Sequence, residues 1–144
     1  MPLFDHLGVT VADLDRAFAQ WDPVLSALGC VTDGVELEGG IAWGSDGETE
    51  LILFRALDPG PDAHPDRAPE RERHRAGRMG WQHLAFAVDS RAEVDRLHAI
   101  ALGAGWTSVR APKVFRRFSD GYYASFVEDD NGIRIEFMHQ PPRA

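Results

Sequence analysis

The chain has 144 residues, 44% of them hydrophobic, with 15 Lys and Arg against 23 Asp and Glu for a formal net charge of −8. Such a composition supports a packed core in one globular domain, or in two small modules, and excludes disorder of the whole chain. The negative charge, with no basic and aromatic stripe, argues against nucleic acid; no apolar run nears the roughly 20 residues a bilayer needs, and "MPLFDHLG" lacks a signal peptide's basic start and apolar stretch, so a cytoplasmic protein is expected.

Residues 3 to 11, "LFDHLGVTV", alternate as a half-buried strand does. Asp13 is placed to cap a helix over "LDRAFAQWDPVLSALG", whose Leu14, Phe18, Trp21, Val24, Leu25 and Leu28 share one face. Pro23 is expected to kink that helix, and Gly29 closes it. Three short strands are predicted next, over 30–37, 40–43 and 49–55, separated by "EGG" and "SDGE" turns. Cys30 is the only cysteine, so neither an internal disulfide nor a zinc ribbon is available, and any metal must be held by His and carboxylate.

Residues 57 to 80 are rich in Pro, Gly and charge, and read as a linker. Its length leaves two readings: a lid whose arginines meet an anionic substrate, or a solvated hinge.

The second half repeats the order of the first. A strand over 81–88 leads to a helix over "RAEVDRLHAIALGAG", opened by a capping box of Ser90 and Glu93. "WTSVRAP", "GYYASFVED" and "IRIEFMH" read as three further strands, with a tight "DDNG" turn joining the last two. His6, Leu7 and Val11 stand 77 positions before His83, Leu84 and Val88. Self-similarity in register implies two copies of one supersecondary unit, in modules 1–56 and 81–144 of a single domain.

Alternation puts Leu7, Val9 and Val11 under the helix and leaves His6, and His83 by the same parity, on the open face of the sheet. A lone histidine there reads as an ordinary hydrogen-bonded residue, but two at equivalent positions suggest convergence on a shared metal, for which neutral imidazole is the commonest ligand. Glu136 faces the open side in the middle of the apolar strand "IRIEF", where an unpaired carboxylate is costly. Aligning "TELILF" with "IRIEF" puts Ile52 at the equivalent place in the first half, so no fourth carboxylate is expected. Two His and one carboxylate leave coordination positions open for substrate, oxygen or water.

These motifs resemble the vicinal oxygen chelate superfamily, which includes glyoxalase I, extradiol dioxygenases, methylmalonyl-CoA epimerase, fosfomycin-resistance enzymes and bleomycin-resistance proteins. The resemblance is carried by "DHLGVTVADLDRAFAQWDPVLSALG", "QHLAFAVDSRAEVDRLHAIALGAG" and "FVEDDNGIRIEF" and spans nearly the whole chain outside the linker. It implies an α+β fold of two βαβββ modules whose mixed sheets curl around a cleft. His6, His83 and Glu136 fall on the family's metal-ligand positions, for one divalent ion: Fe, Mn, Zn, Ni or Co. It also implies a homodimer, with the site shared across the subunit interface in many members.

The departures from the family pattern narrow the chemistry. Ile52 stands where four-ligand members carry Glu or Gln, and Phe126 where dioxygenases and fosfomycin enzymes carry an assisting tyrosine. Tyr122 shares the parity of Phe126 and is the candidate to supply a phenol beside Glu136, whereas Tyr123 should point toward the helices. Glu50 and His139 are further open-face acid or base candidates. Trp43, Ile52, Phe54 and Phe126 are candidates to line a substrate pocket, and Arg116 with Arg117 to clamp a carboxylate or phosphate. The expected function is a metal-dependent enzyme acting on a small molecule, of isomerase, lyase or dioxygenase type. The alternative is a metal-free protein that sequesters a drug.

Overall fold

The computed structural model describes residues 3–56 and 73–142. The chain divides into two compact units, with the break between Arg71 and Glu72. Residues 57–72 of the expected linker lie outside the described residues. Residues 73–80, assigned to the linker from their composition, belong to the second unit: His74 N donates to Asn131 O at 2.7 Å, and its Nε2 lies 2.5 Å from Trp81 O.

In the first unit, β1 (Leu7–Val11) leads into α1 (Leu14–Ala27), then β2 (Gly40–Ser45) and β3 (Glu48–Arg55). The strands form a mixed sheet in the order β1-β3-β2, with β1 and β3 parallel. Asp13 caps α1 as expected, its carboxylate accepting from Arg16 N at 3.1 Å. The helix runs through Pro23 and buries Leu14, Ala17, Trp21, Val24 and Leu25 over Val9, Val11, Leu51 and Leu53 of the sheet.

The strand expected over 30–37 does not form. Local side chains capture its backbone donors: Thr32 Oγ1 accepts from Gly34 N at 3.1 Å and Asp33 Oδ1 from Val35 N at 2.9 Å, while Gly34 turns the chain at φ 71°. Its backbone meets the sheet at single bridges, Val31 to Gly44 and Leu37 to Gly40, and its Glu36 carboxylate accepts two hydrogen bonds from Arg55 of β3 at 3.0 and 3.1 Å.

In the second unit the full βαβββ order is present: β4 (Leu84–Ala87), α2 (Arg91–Gly103), β5 (Thr107–Val114), β6 (Tyr123–Glu128) and β7 (Arg134–His139). The sheet order is β4-β7-β6-β5, with β4 and β7 parallel. Ser90 Oγ caps α2 by accepting from Glu93 N at 3.1 Å. The reciprocal half of the capping box is absent, since the Glu93 carboxylate pairs with Arg96 one turn on. Val94, Leu97 and Ala101 of α2 cover Ala124, Val127, Ile135 and Phe137, and Tyr123 reaches the helix as expected, donating to Asp95 Oδ1 at 2.6 Å.

The turn from β6 to β7 is built by Asp129, whose buried carboxylate accepts from the backbone N–H of Asn131 and of Ile133 at 2.9 and 2.8 Å. It delivers Glu136 to the middle of β7 with Ile135 and Phe137 turned into the core.

The pairing registers show how far the two units repeat one another. Gly8 lies opposite Ile52 in the first sheet, and Ala85, which follows it by 77 positions, lies opposite Glu136 in the second. Across the next pair, Ala42 faces Ile52 and Phe126 faces Glu136. The architecture is α+β, two mixed sheets each backed by one helix.

Candidate metal-ligand site

His83 immediately precedes β4, and His6 holds the same place before β1. In both cases the preceding residue holds the ring: Gln82 Oε1 contacts Nδ1 of His83, and Asp5 Oδ1 lies 2.6 Å from Nδ1 of His6. With Nδ1 engaged by an oxygen acceptor, Nε2 becomes the outward nitrogen. Neither Gln82 nor Asp5 was singled out from sequence, although the repeated "DHL" and "QHL" carry an oxygen-bearing side chain at the same place.

The second sheet brings His83 and Glu136 together. His83 Nε2 lies 3.1 Å from Glu136 Oε2, and the glutamate is 2% exposed. Its other oxygen accepts from the Tyr122 hydroxyl at 2.7 Å. Burial, reinforced by the hydrogen bond to Glu136, pushes the Tyr122 phenol well above its ordinary range, so it remains a donor at neutral pH. Tyr122 therefore touches the candidate ligand itself, fixing which carboxylate oxygen is free for His83 or a cation.

Both ring nitrogens of His83 face oxygen acceptors, Gln82 on one side and Glu136 on the other. With Nδ1 held from behind, Nε2 is the nitrogen that a cation beside Glu136 would meet. Ligand nitrogens and oxygens sit about 2.0–2.2 Å from a transition metal, so two adjacent donors on one ion are about 3 Å apart. The observed separation fits, as does the Tyr122 bond that would orient the carboxylate ligand.

His6 is exposed, in the first unit. Among the described residues no group of three or more His, Cys, Asp or Glu side chains converges on one point, so the second unit by itself supplies two protein donors.

The remaining candidates divide. Phe126 stands edge-on to His83, 5.4 Å between ring centres. It lines a hollow of about 150 Å³ with Arg110, Phe115, Arg117 and Phe118; Arg116 is exposed and does not line it. Ile52 and Phe54 lie on the open face of the first sheet, in a hollow of about 520 Å³. Trp43 borders that hollow, while its side chain has the opposite parity and is fully buried, packed on Phe18 at 5.5 Å and donating to Asp22 at 2.9 Å. Its ring is core, because a tryptophan inside a sheet needs both apolar cover and a partner for its N–H. Glu50 is engaged by Ser45, and His139 Nδ1 is 2.9 Å from Val88 O.

Residues 3–137 match the Glyoxalase/Bleomycin resistance protein/Dioxygenase superfamily. The chain belongs to that superfamily. It is 29% identical over 133 residues to YqjT of Bacillus subtilis, an uncharacterised protein, covering 92% of this chain and 95% of that one. A solved glyoxalase/bleomycin resistance protein from Albidiferax ferrireducens superposes with a TM-score of 0.69 at 25% identity, over 97% of this chain and 100% of that one. A lactoylglutathione lyase from Agrobacterium tumefaciens shares the fold at 21% identity and a TM-score of 0.60, over 96% and 95% of the two chains. Among the described residues no helix is long and apolar enough to cross a membrane.

Proposed function

We propose that the protein is a divalent-metal-dependent enzyme of its superfamily, acting on a small molecule by isomerase, lyase or dioxygenase chemistry. The observation that carries this reading is the buried Glu136 with one oxygen held by Tyr122 and the other 3.1 Å from His83 Nε2. A carboxylate this buried requires a compensating charge, and an imidazole fixed from behind by Gln82 is built to share one. His83 and Glu136 would hold the ion. His6 is the proposed third ligand by its equivalent place in the repeat, from the same chain or from a second copy in a homodimer. When bound, such an ion polarises substrate oxygens and lowers the pKa of coordinated water.

The chain's own residues have separate tasks. Tyr122 keeps the carboxylate oriented, and its phenol holds a proton one hydrogen bond from the ligand atom. Phe126 and Phe115 exclude water from one side of His83.

One observation favours a second reading, a metal-free protein that sequesters a drug: the hollow of about 520 Å³ on the first sheet, walled by Val31, Leu37, Ile52 and Phe54. Titration of Co(II) into the metal-free protein, followed by visible absorption, separates the two. Stoichiometric uptake abolished in His83→Ala and in Glu136→Ala supports the enzyme. Absence of uptake together with tight binding of bleomycin supports sequestration.

A further inference from the structure

The hairpin that borders His83 reverses the character of the rest of the chain. Within "RAPKVFRR", residues 110–117, there are four cations and no acid, in a protein of net charge −8. Arg110 and Arg117 line the hollow of about 150 Å³ beside His83. Among the described residues neither is ion-paired: Arg110 donates one N–H to Val109 O, and the Arg117 guanidinium lies over the Phe118 ring at 4.8 Å. Guanidinium donors so placed are ready for a planar oxyanion.

Three phenylalanines line the same hollow, beside Gln82, Val109 and Arg134. Phe115 meets Phe126 edge-on at 5.6 Å, Phe126 meets His83 edge-on at 5.4 Å, and Phe118 stacks on Phe115 at 5.9 Å. These rings come from β6 and from the turn after β5, so strand pairing fixes their spacing. A hollow of about 150 Å³ has room for a benzene-sized ring and little more. Phenylalanine edges favour another π face over a saturated ring of the same size.

We infer that this hollow is the substrate subsite for a single-ring aromatic carboxylate, the ring held by Phe115, Phe118 and Phe126 and the carboxylate by Arg110 and Arg117. The inference rests on the proposed function in that it names the substrate class of the same site. The subsite turns the ring's edge toward His83 and the anionic group toward the arginine rim. A neutral ring forfeits the arginines, and an aliphatic acid forfeits the aromatic walls.

The test uses the metal-free full-length protein and three probes, benzoate, benzyl alcohol and cyclohexanecarboxylate, followed by amide chemical shifts. Benzoate is expected to give saturable shifts over residues 110–126, with affinity about tenfold above either other probe and about tenfold weaker in the Arg110→Gln, Arg117→Gln double variant. Added salt is expected to weaken benzoate and leave benzyl alcohol unchanged. Equal affinity for all three probes, or benzoate binding indifferent to the arginine variant, would overturn the inference. Because no metal is present, failure of the metal-site reading leaves these shifts intact. Metal uptake without benzoate binding would refute the subsite alone.

Discussion

Ile52 holds in the first sheet the position that Glu136 holds in the second: each lies on the strand parallel to the first strand of its unit, opposite Gly8 and Ala85 respectively. The substitution of an apolar side chain for a carboxylate breaks the repeat at this position. On the proposed reading in which His6 is a third ligand, Ile52→Glu is expected to tighten metal binding by about tenfold by offering a further carboxylate. Calorimetric titration with Zn(II) or Ni(II) measures it. Unchanged affinity would count against a ligand role for His6.

Tyr122→Phe removes the donor that orients Glu136 and leaves the ring in place. Metal affinity is expected to fall about 10- to 100-fold with the fold retained, as for loss of other groups that hold a metal ligand. In the metal-free protein the same bond predicts an alkaline limit. The folded phenol ionises above the unfolded value of about 10. Its contribution to stability is thus fully present below that pH and is lost as pH rises toward the folded value. Denaturant midpoints measured across this range should fall more steeply for the wild type than for Tyr122→Phe.

His98 of α2 is buried, with Nε2 3.1 Å from Ser108 Oγ and, among the described residues, no hydrogen-bond partner for Nδ1. Burial lowers its pKa, opposed in part by Asp95. The unfolded chain therefore takes up the proton first, and stability is lost as pH falls below about 6.5. Comparing urea midpoints between neutral and mildly acid pH, His98→Gln should show a shallower decline than the wild type. Parallel curves would contradict the assignment.

Gly132 closes the turn before β7 at φ 77°, and a β-carbon there would lie 1.9 Å from the carbonyl oxygen of His74. Gly132→Ala combines backbone strain with a clash against main chain, for a loss of at least about 2 kcal/mol in thermal or chemical unfolding. Because the turn sets the register of Glu136, metal affinity should fall with it.

Much of the second unit is legible in the sequence, because its information is local. Ser90 caps the helix, Asp129 and Gly132 make the turn, and the alternation of Ile133, Ile135 and Phe137 leaves Glu136 on the other face. The first unit is less so. The apolar residues Val31, Val35 and Leu37 read as a strand, yet Thr32, Asp33 and Gly34 between them bond to the local backbone, and these side chains outweighed the alternation. Trp43 borders the first sheet's hollow with a ring that packs inward: hydrophobic size marks both pocket walls and core, and its strand parity and the Asp22 partner decide which way the ring faces. Of the expected pair Arg116 and Arg117, Arg117 lines the hollow and Arg116 does not, a one-residue distinction that depends on the turn after β5. Residues 73–80 carry a linker's composition while their backbone is pinned by Asn131, a contact between residues far apart in sequence.

The most direct test is the metal content of protein purified without a tag or chelator, by elemental analysis, in wild type and Glu136→Ala. About one equivalent of a transition metal per chain, lost in the variant, is the expected result, and the metal's identity would narrow the reaction class. No bound metal in either protein, even after reconstitution with Fe, Mn, Ni, Zn and Co in turn, would contradict the metal site built on His83 and Glu136.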